Sequence, residues 1–204
     1  MRLLINDPAK RGYHKKFSID EVHFTTDAGT NLQGVTRTRE NYKGTDFEYF
    51  EKLYSSKILS QRIFLHPGEN YSREKTFSTQ RQLANLDNFK FVNINFDTTG
   101  GKFIAHIFTN ALDRYQWSNE VGVNVTQGFP GPFYNINFKK RNIFRGLENF
   151  EMNGRIGYEG VASATATSNI YQSVEAGINA SITFPQFLFP LKEETRYKLG
   201  RINP

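Results

Sequence analysis

The chain contains no cysteine, one tryptophan and two methionines in 204 residues. Without cysteine it has neither a disulfide framework nor a thiolate metal site, and either redox compartment is compatible with it. It also has no run of the ~18 to 20 apolar residues that a membrane helix needs, which excludes helical insertion. A signal-peptide pattern is missing as well, since Met1–Ile5 is too short and no cleavage pattern follows. Charge of one sign is not concentrated: 26 basic and 20 acidic residues give a diffuse +6. The densest cluster, Lys139-Lys140-Arg141, fits a solvated strand end better than a nucleic-acid site, so no nucleic-acid partner is expected.

Catalytic patterns are equally scarce. His14, His23, His66 and His106 match no metal-ligand spacing, and His66 before Pro67-Gly68 reads as a turn residue. Gly100-Gly101-Lys102 lacks the rest of a phosphate-binding loop, and no G-x-S-x-G elbow occurs. The reading is therefore no enzyme, no catalytic residues, no metal and no cofactor.

Aromatics are plentiful, with 19 Phe and 10 Tyr, and they favour strands. From Arg114 onward no helix signal survives, and four segments alternate apolar with polar residues. Tyr115–Gln127 sets Tyr115, Trp117, Val121, Val123 and Val125 against Gln116, Ser118, Glu120, Gly122, Asn124 and Thr126. Phe133–Phe144 sets Tyr134, Ile136 and Phe138 against Asn135, Asn137 and Lys139. Phe150–Gly160 and Ser173–Phe184 repeat the pattern, with Ile156 and Ile178 on their apolar sides. A period of two gives each strand one greasy and one wet face. Gly128–Pro132 reads as a turn, Arg145–Glu148 as a tight turn and Gly160–Ile170 as a longer loop.

Soluble sandwiches alternate too, with the apolar face turned into a core. Strands of ~11 to 14 residues exceed the ~5 to 6 usual in soluble domains, and Glu120, Arg155 and Glu175 put charge at mid-strand. Both features suit a membrane barrel with a wet lumen. The mean hydropathy of −0.57 does not oppose this, because barrels need no apolar run. Four strands cannot close a barrel, so this reading expects further amphipathic strands elsewhere in a longer protein.

The first half mixes periods. Phe17–Thr26 reads as a strand, Asp27–Gly44 as a polar loop, and Phe47–Tyr54 and Lys57–Phe64 carry helical spacing. Ser72 reads as the N-cap of a helix running to about Asp87–Asn88. Phe89–Thr98 and Phe103–Leu112 read as a hairpin about Gly100-Gly101. The order β-α-α-β-β makes a small α+β domain with a three-stranded sheet.

Leu65-His66-Pro67-Gly68-Glu69-Asn70-Tyr71-Ser72, followed by Leu83-Ala84-Asn85-Leu86-Asp87-Asn88-Phe89-Lys90-Phe91-Val92, resembles the final POTRA domain of the BamA/TamA outer-membrane assembly-factor family. Arg141-Asn142-Ile143-Phe144-Arg145-Gly146-Leu147-Glu148 resembles that family's turn after the second barrel strand, and Phe184–Pro190 its segment after the fourth. The TamL-like branch is the most similar, although its lipid-modified cysteine, the remaining barrel and the late loop motif are missing. The resemblance implies an N-terminal segment (1–16), a POTRA domain (17–113), four strands of a partial transmembrane β-barrel (114–190) and a following loop (191–204). It implies an outer-membrane protein with its POTRA domain in the periplasm. Unfolded outer-membrane proteins would be received on strand edges, with lipid and accessory subunits as further partners. The implied contact residues are Tyr115, Trp117, Val121, Gly122 and Val123 in the first barrel strand and Phe91, Val92 and Ile94 in the POTRA domain. Pro67, Gly68, Tyr71, Arg141, Asn142, Phe144, Gly146 and Glu148 carry the motifs. A soluble periplasmic β-rich binding module, or a related barrel exporting one partner protein, are the alternatives.

Overall fold

The computed structural model describes residues 16–30, 32–126, 129–162 and 170–185. Outside them lie all but Lys16 of the N-terminal segment, His14, Gly128, most of the 160–170 loop, Gln186–Pro190 and 191–204. The chain divides into two compact units. One comprises residues through Glu51, Ser60–Asn85 and Phe89–Asn110; the other comprises Lys52–Leu59, Leu86–Asn88 and the chain from Ala111.

The first unit is a five-stranded mixed sheet, not the three-stranded sheet expected. Its strands are β1 (Glu21–Thr25), β2 (Thr38–Tyr42), β3 (Thr45–Tyr49), β4 (Phe89–Asp97) and β5 (Ile104–Ala111), in the order β2-β3-β1-β5-β4. β1 is parallel to both β3 and β5, and β2 is antiparallel to β3. Alternation sends Val22 and Phe24 of β1 into the core beside Phe47, Ala105 and Ile107, all buried. The Phe24 ring lies 5.5 Å from Phe47 and 6.3 Å from Phe89. α2 (Arg73–Ala84) lies against β4, with Leu83 fully buried and the Thr79 hydroxyl accepting the Phe64 N–H.

Two sequence expectations fail here for one reason. The end of the polar stretch read as a loop and the start of the Phe47–Tyr54 segment read as helical together form the β2–β3 hairpin over Thr38–Tyr49. The described residues between Asp27 and Arg37 carry no strand or helix. Lys43 (φ 51°) and Gly44 (φ 82°) make the left-handed pair that a two-residue hairpin requires. Phe47 and Phe50 lie three apart and mimic a helix, but pairing with β1 decides the outcome, and no local period reports such pairing. The expected first strand is also shorter. Asp20 N–H donates to Phe103 O and its carboxylate accepts the Phe103 N–H, so a side chain closes this pair and the strand proper is Glu21–Thr25.

Helix α1 is confined to Ser56–Ser60, shorter than the helical stretch expected over Lys57–Phe64. Ser72 caps α2 by accepting the Lys75 N–H, and the helix stops at Ala84, a turn earlier than its pattern suggests. Gly68 and Tyr71 tie down the 17–19 segment: Gly68 N–H donates to Ile19 O, and Tyr71 N–H to Phe17 O, while the Pro67 ring lies beside Gly44. The Tyr71 ring then packs edge-on against Phe96 and Phe103.

The second unit is an antiparallel meander of β6 (Tyr115–Thr126), β7 (Phe129–Arg141), β8 (Asn149–Ala162) and β9 (Ile170–Thr183). Pro130, Gly131 and Pro132, expected in a turn, lie within β7 and pair with Val125, Asn124 and Val123. The β7–β8 ladder ends at Phe133, so prolines beyond it are not asked to donate toward β8. Gly131 suits that site because a Cβ there would sit 1.7 Å from the Tyr158 carbonyl oxygen.

Candidate functional site

The registers place the four strands' alternation in phase. Trp117 faces Phe138, which faces Met152, which faces Ala180; Val121, Tyr134, Ile156 and Ala176 form a second such row. The opposite face carries Ser118, Asn137, Asn153 and Asn179 in one row and Glu120, Asn135, Arg155 and Gly177 in the next. One face of the meander is therefore predominantly greasy, interrupted by Asn119 and Lys140, and the other is predominantly wet.

The greasy face is not a core. Val121, Val123 and Ile178 are 78%, 64% and 83% exposed. Ile156 is exposed and Ile136 half-buried. From Tyr115 to Val125 the band spans eleven residues, ~34 Å along the strand, or about 25 Å along a membrane normal at the usual barrel tilt. Four strands of that length present roughly 600 Å², above the few hundred Å² that a soluble monomer leaves open.

The wet face is concave. The residues lining a hollow there include Ser118, Glu120, Asn135, Asn153, Arg155 and Asn179, and Ile136 and Ile178 also contribute to it. Asn135 Nδ2 donates to Glu120 Oε2 at 2.8 Å, and Arg155 Nε lies 3.5 Å from Glu175 Oε2. The Arg155 guanidinium also lies 5.6 Å from the centre of the Phe133 ring. The sheet thus curls with its polar side inward and its apolar side outward.

β6 ends its sheet among the described residues, and its free edge has a definite polarity. Arg141 N–H donates to Arg114 O at 2.8 Å, one pair beyond the Tyr115–Lys140 register. Antiparallel pairs alternate between bonded and non-bonded, so even-numbered β6 residues carry the ladder to β7. Odd-numbered ones point their N–H and C=O groups at the open edge. Tyr115, Trp117, Val121 and Val123 consequently combine an exposed apolar side chain with edge-facing backbone groups. Gly122 does not: its backbone belongs to the β7 ladder, and the Phe133 ring fills the place of its side chain, where a Cβ would meet ring carbons at 2.5 Å. β4 ends the other sheet. Phe91 is exposed there, Val92 and Ile94 are half-buried, and Gln80 Nε2 donates to the Val92 carbonyl at 3.1 Å.

The motif at 141–148 builds the β7–β8 turn. Asn142, Arg145 and Leu147 take φ of 54°, 65° and 68°, conformations that cost non-glycine residues roughly 1 to 3 kcal/mol each. The buried Glu148 carboxylate offsets that cost by accepting the Phe144 and Gly146 N–H groups. Asn142 accepts the Leu147 N–H and donates to Leu53 O at 2.7 Å. Arg141 donates to the Asp87 and Asp113 carbonyls and to Gln116 Oε1. Asn88 Nδ2 donates to Leu147 O, and Asn149 Nδ2 to Leu86 O. Lys52–Leu59 and Leu86–Asn88 are thereby bound into the second unit, a clasp that sequence reasoning missed. The polar residues around this turn were the available signal. Phe144 stands at the turn tip, 69% exposed.

Burial pushes the Tyr54 hydroxyl from its ordinary 10 up to about 12, and the group donates to the Asn88 carbonyl at 3.3 Å. An acid whose folded pKa is raised stabilises fully below its unfolded value, and that share is lost as pH rises through the folded one. Stability should fall by about 2 to 3 kcal/mol between pH ~10 and ~12, and Tyr54→Phe should lack that fall. Denaturant unfolding across this range measures it; an unchanged slope in the variant contradicts the assignment. On the first unit, the bond from Lys102 holds the Glu21 carboxyl below and its own ammonium above their usual ranges. Both groups are exposed, so the pair adds little to stability.

No protein-family model matches the chain, and no curated protein matches it. Among solved structures it is similar to CdiB from Acinetobacter baumannii, at 11% identity and a TM-score of 0.42 over 74% of this chain and 41% of that one. It is also similar to BamA from Haemophilus ducreyi lacking POTRA domains 1–3, at 10% identity and a TM-score of 0.33 over 72% and 37%. The chain spans about two fifths of the length of these structures.

Proposed function

We propose that the chain is part of an outer-membrane β-barrel assembly or translocation factor. In this reading β6 to β9 are the first strands of the barrel wall, and the first unit is a POTRA domain in the periplasm. The observation that carries the reading is the curled sheet whose convex face is apolar and exposed while its concave face is polar. Water would leave a dozen large apolar side chains uncovered on that face, forgoing on the order of 20 kcal/mol that hydrocarbon would recover.

Unfolded outer-membrane proteins are the proposed clients. An edge strand with outward N–H and C=O groups adds an extended segment by backbone bonding, whatever its sequence. Tyr115, Trp117, Val121 and Val123 supply such an edge on β6, and Phe91 lies on the terminal strand β4. Accessory subunits belong to the same proposal, and no bond-making chemistry is assigned. The soluble-module alternative needs the greasy face as a core, and its exposure speaks against that. A barrel exporting one partner protein would differ in client alone.

Two measurements test the proposal. The full chain should leave membranes only with detergent, and a photo-crosslinker at Trp117 should capture an unfolded outer-membrane protein. Recovery from the aqueous fraction without detergent would end the membrane reading. Detergent dependence without capture would end the client reading.

A further inference from the structure

The basic run Lys139-Lys140-Arg141 is split by the strand's alternation, and its members meet different fates. Lys139 and Arg141 sit on the wet side and are fully engaged. Lys139 contacts Asp87 and lies 2.5 Å from Glu151, while Arg141 holds the Asp87 and Asp113 carbonyls. Lys140 points to the greasy side, paired with Tyr115 on one flank and Phe150 on the other. It is the one charged side chain on that face of β6 to β9 among the described residues. Its ammonium lies 5.5 Å from the centre of the Tyr115 ring. Arg114, the residue before β6, places its guanidinium 5.9 Å from the same ring. Among the described residues neither cation has a carboxylate within ion-pair distance.

These two cations stand at the end of the apolar band, and the adjoining rings form a belt. Trp117 lies 4.4 Å from Phe138, Tyr115 6.3 Å and Phe150 6.2 Å from the same ring. Amphipathic rings bordered by basic side chains mark the depth where hydrocarbon gives way to headgroups. An unpaired lysine on a lipid-facing surface is tolerable only if its charge reaches that boundary. Two cations about one ring, with no carboxylate between them, complement a phosphodiester anion.

Resting on the lipid-facing reading above, we infer that Arg114, Tyr115 and Lys140 form a binding site for the phosphate of an anionic phospholipid headgroup. The ring holds the two cations in place, and the apolar face holds the acyl chains of the same lipid.

The test is flotation of the full chain with vesicles of phosphatidylcholine alone or mixed equally with phosphatidylglycerol. The unaltered chain should favour the mixed vesicles by roughly fivefold for each cation. R114Q/K140Q should bind both vesicles at the neutral-vesicle level of the unaltered chain, and R81Q/K90Q, which removes an equal charge from exposed positions of the first unit, should keep the preference. Retention of that preference by R114Q/K140Q, or its loss in R81Q/K90Q, overturns the site, because bulk charge would then account for it. Inorganic phosphate that abolishes the preference where chloride of equal ionic strength does not overturns the lipid assignment in favour of a free anion. Absence of binding to either vesicle overturns the lipid-facing reading itself.

Discussion

Ile178→Lys should abolish stable membrane insertion, while Asn179→Lys, one residue away, leaves it intact. Ile178 sits at mid-band on the convex face, 83% exposed, and pairs with Gly154; Asn179 pairs with Asn153 on the concave side. A lysine at the lipid midplane of a barrel costs about 2 to 4 kcal/mol, whereas lumen positions tolerate charge. That is a loss of roughly 30-fold to nearly a thousandfold in the inserted fraction. Urea extraction of membranes carrying each variant measures it. Equal behaviour of the two lysines would mean that the faces are not differently solvated.

Val123→Pro should block client capture with fold and insertion preserved, whereas Gly122→Pro should unfold the sheet. The contrast follows from backbone direction. The Val123 N–H points to the open edge, so a proline there removes one donor offered to an incoming strand and sets its ring in that strand's path. One lost bond and the steric conflict should lower crosslinking about tenfold or more. The Gly122 N–H belongs to the β7 ladder and its side-chain space is occupied by the Phe133 ring, so proline there costs about 3 kcal/mol or more. Capture that persists in the Val123 variant, alongside normal insertion, removes the β6 edge from the mechanism.

Much of this arrangement was legible beforehand because it depends on period alone. The greasy and wet sides of Tyr115–Thr126 follow from its alternation, and the registers carry the same phase across all four strands. The Ser72 cap and the turn at Gly100-Gly101 were local signals too, decided within a few residues.

What escaped depends on distant partners. Thr38–Tyr49 pairs only because β1 offers Phe24 a neighbour in Phe47, and Pro130 and Pro132 are tolerated only because the β8 ladder stops short of them. Gly122, implied as a contact residue of the strand edge, answers instead to a ring eleven residues along the chain. The clasp of Tyr54, Asn88 and Glu148 could not be read from any one segment, since its hydrogen bonds join stretches as many as 89 residues apart.

Nitroxide labels offer the most direct measurement of which side meets lipid. Placed singly at Val121, Ile156 and Ile178, they should collide with dissolved oxygen and be shielded from a water-soluble nickel chelate. At Asn135, Asn153 and Asn179 the order should reverse. Labels on the valine and isoleucine positions that meet the chelate as freely as the asparagine ones would contradict a membrane wall.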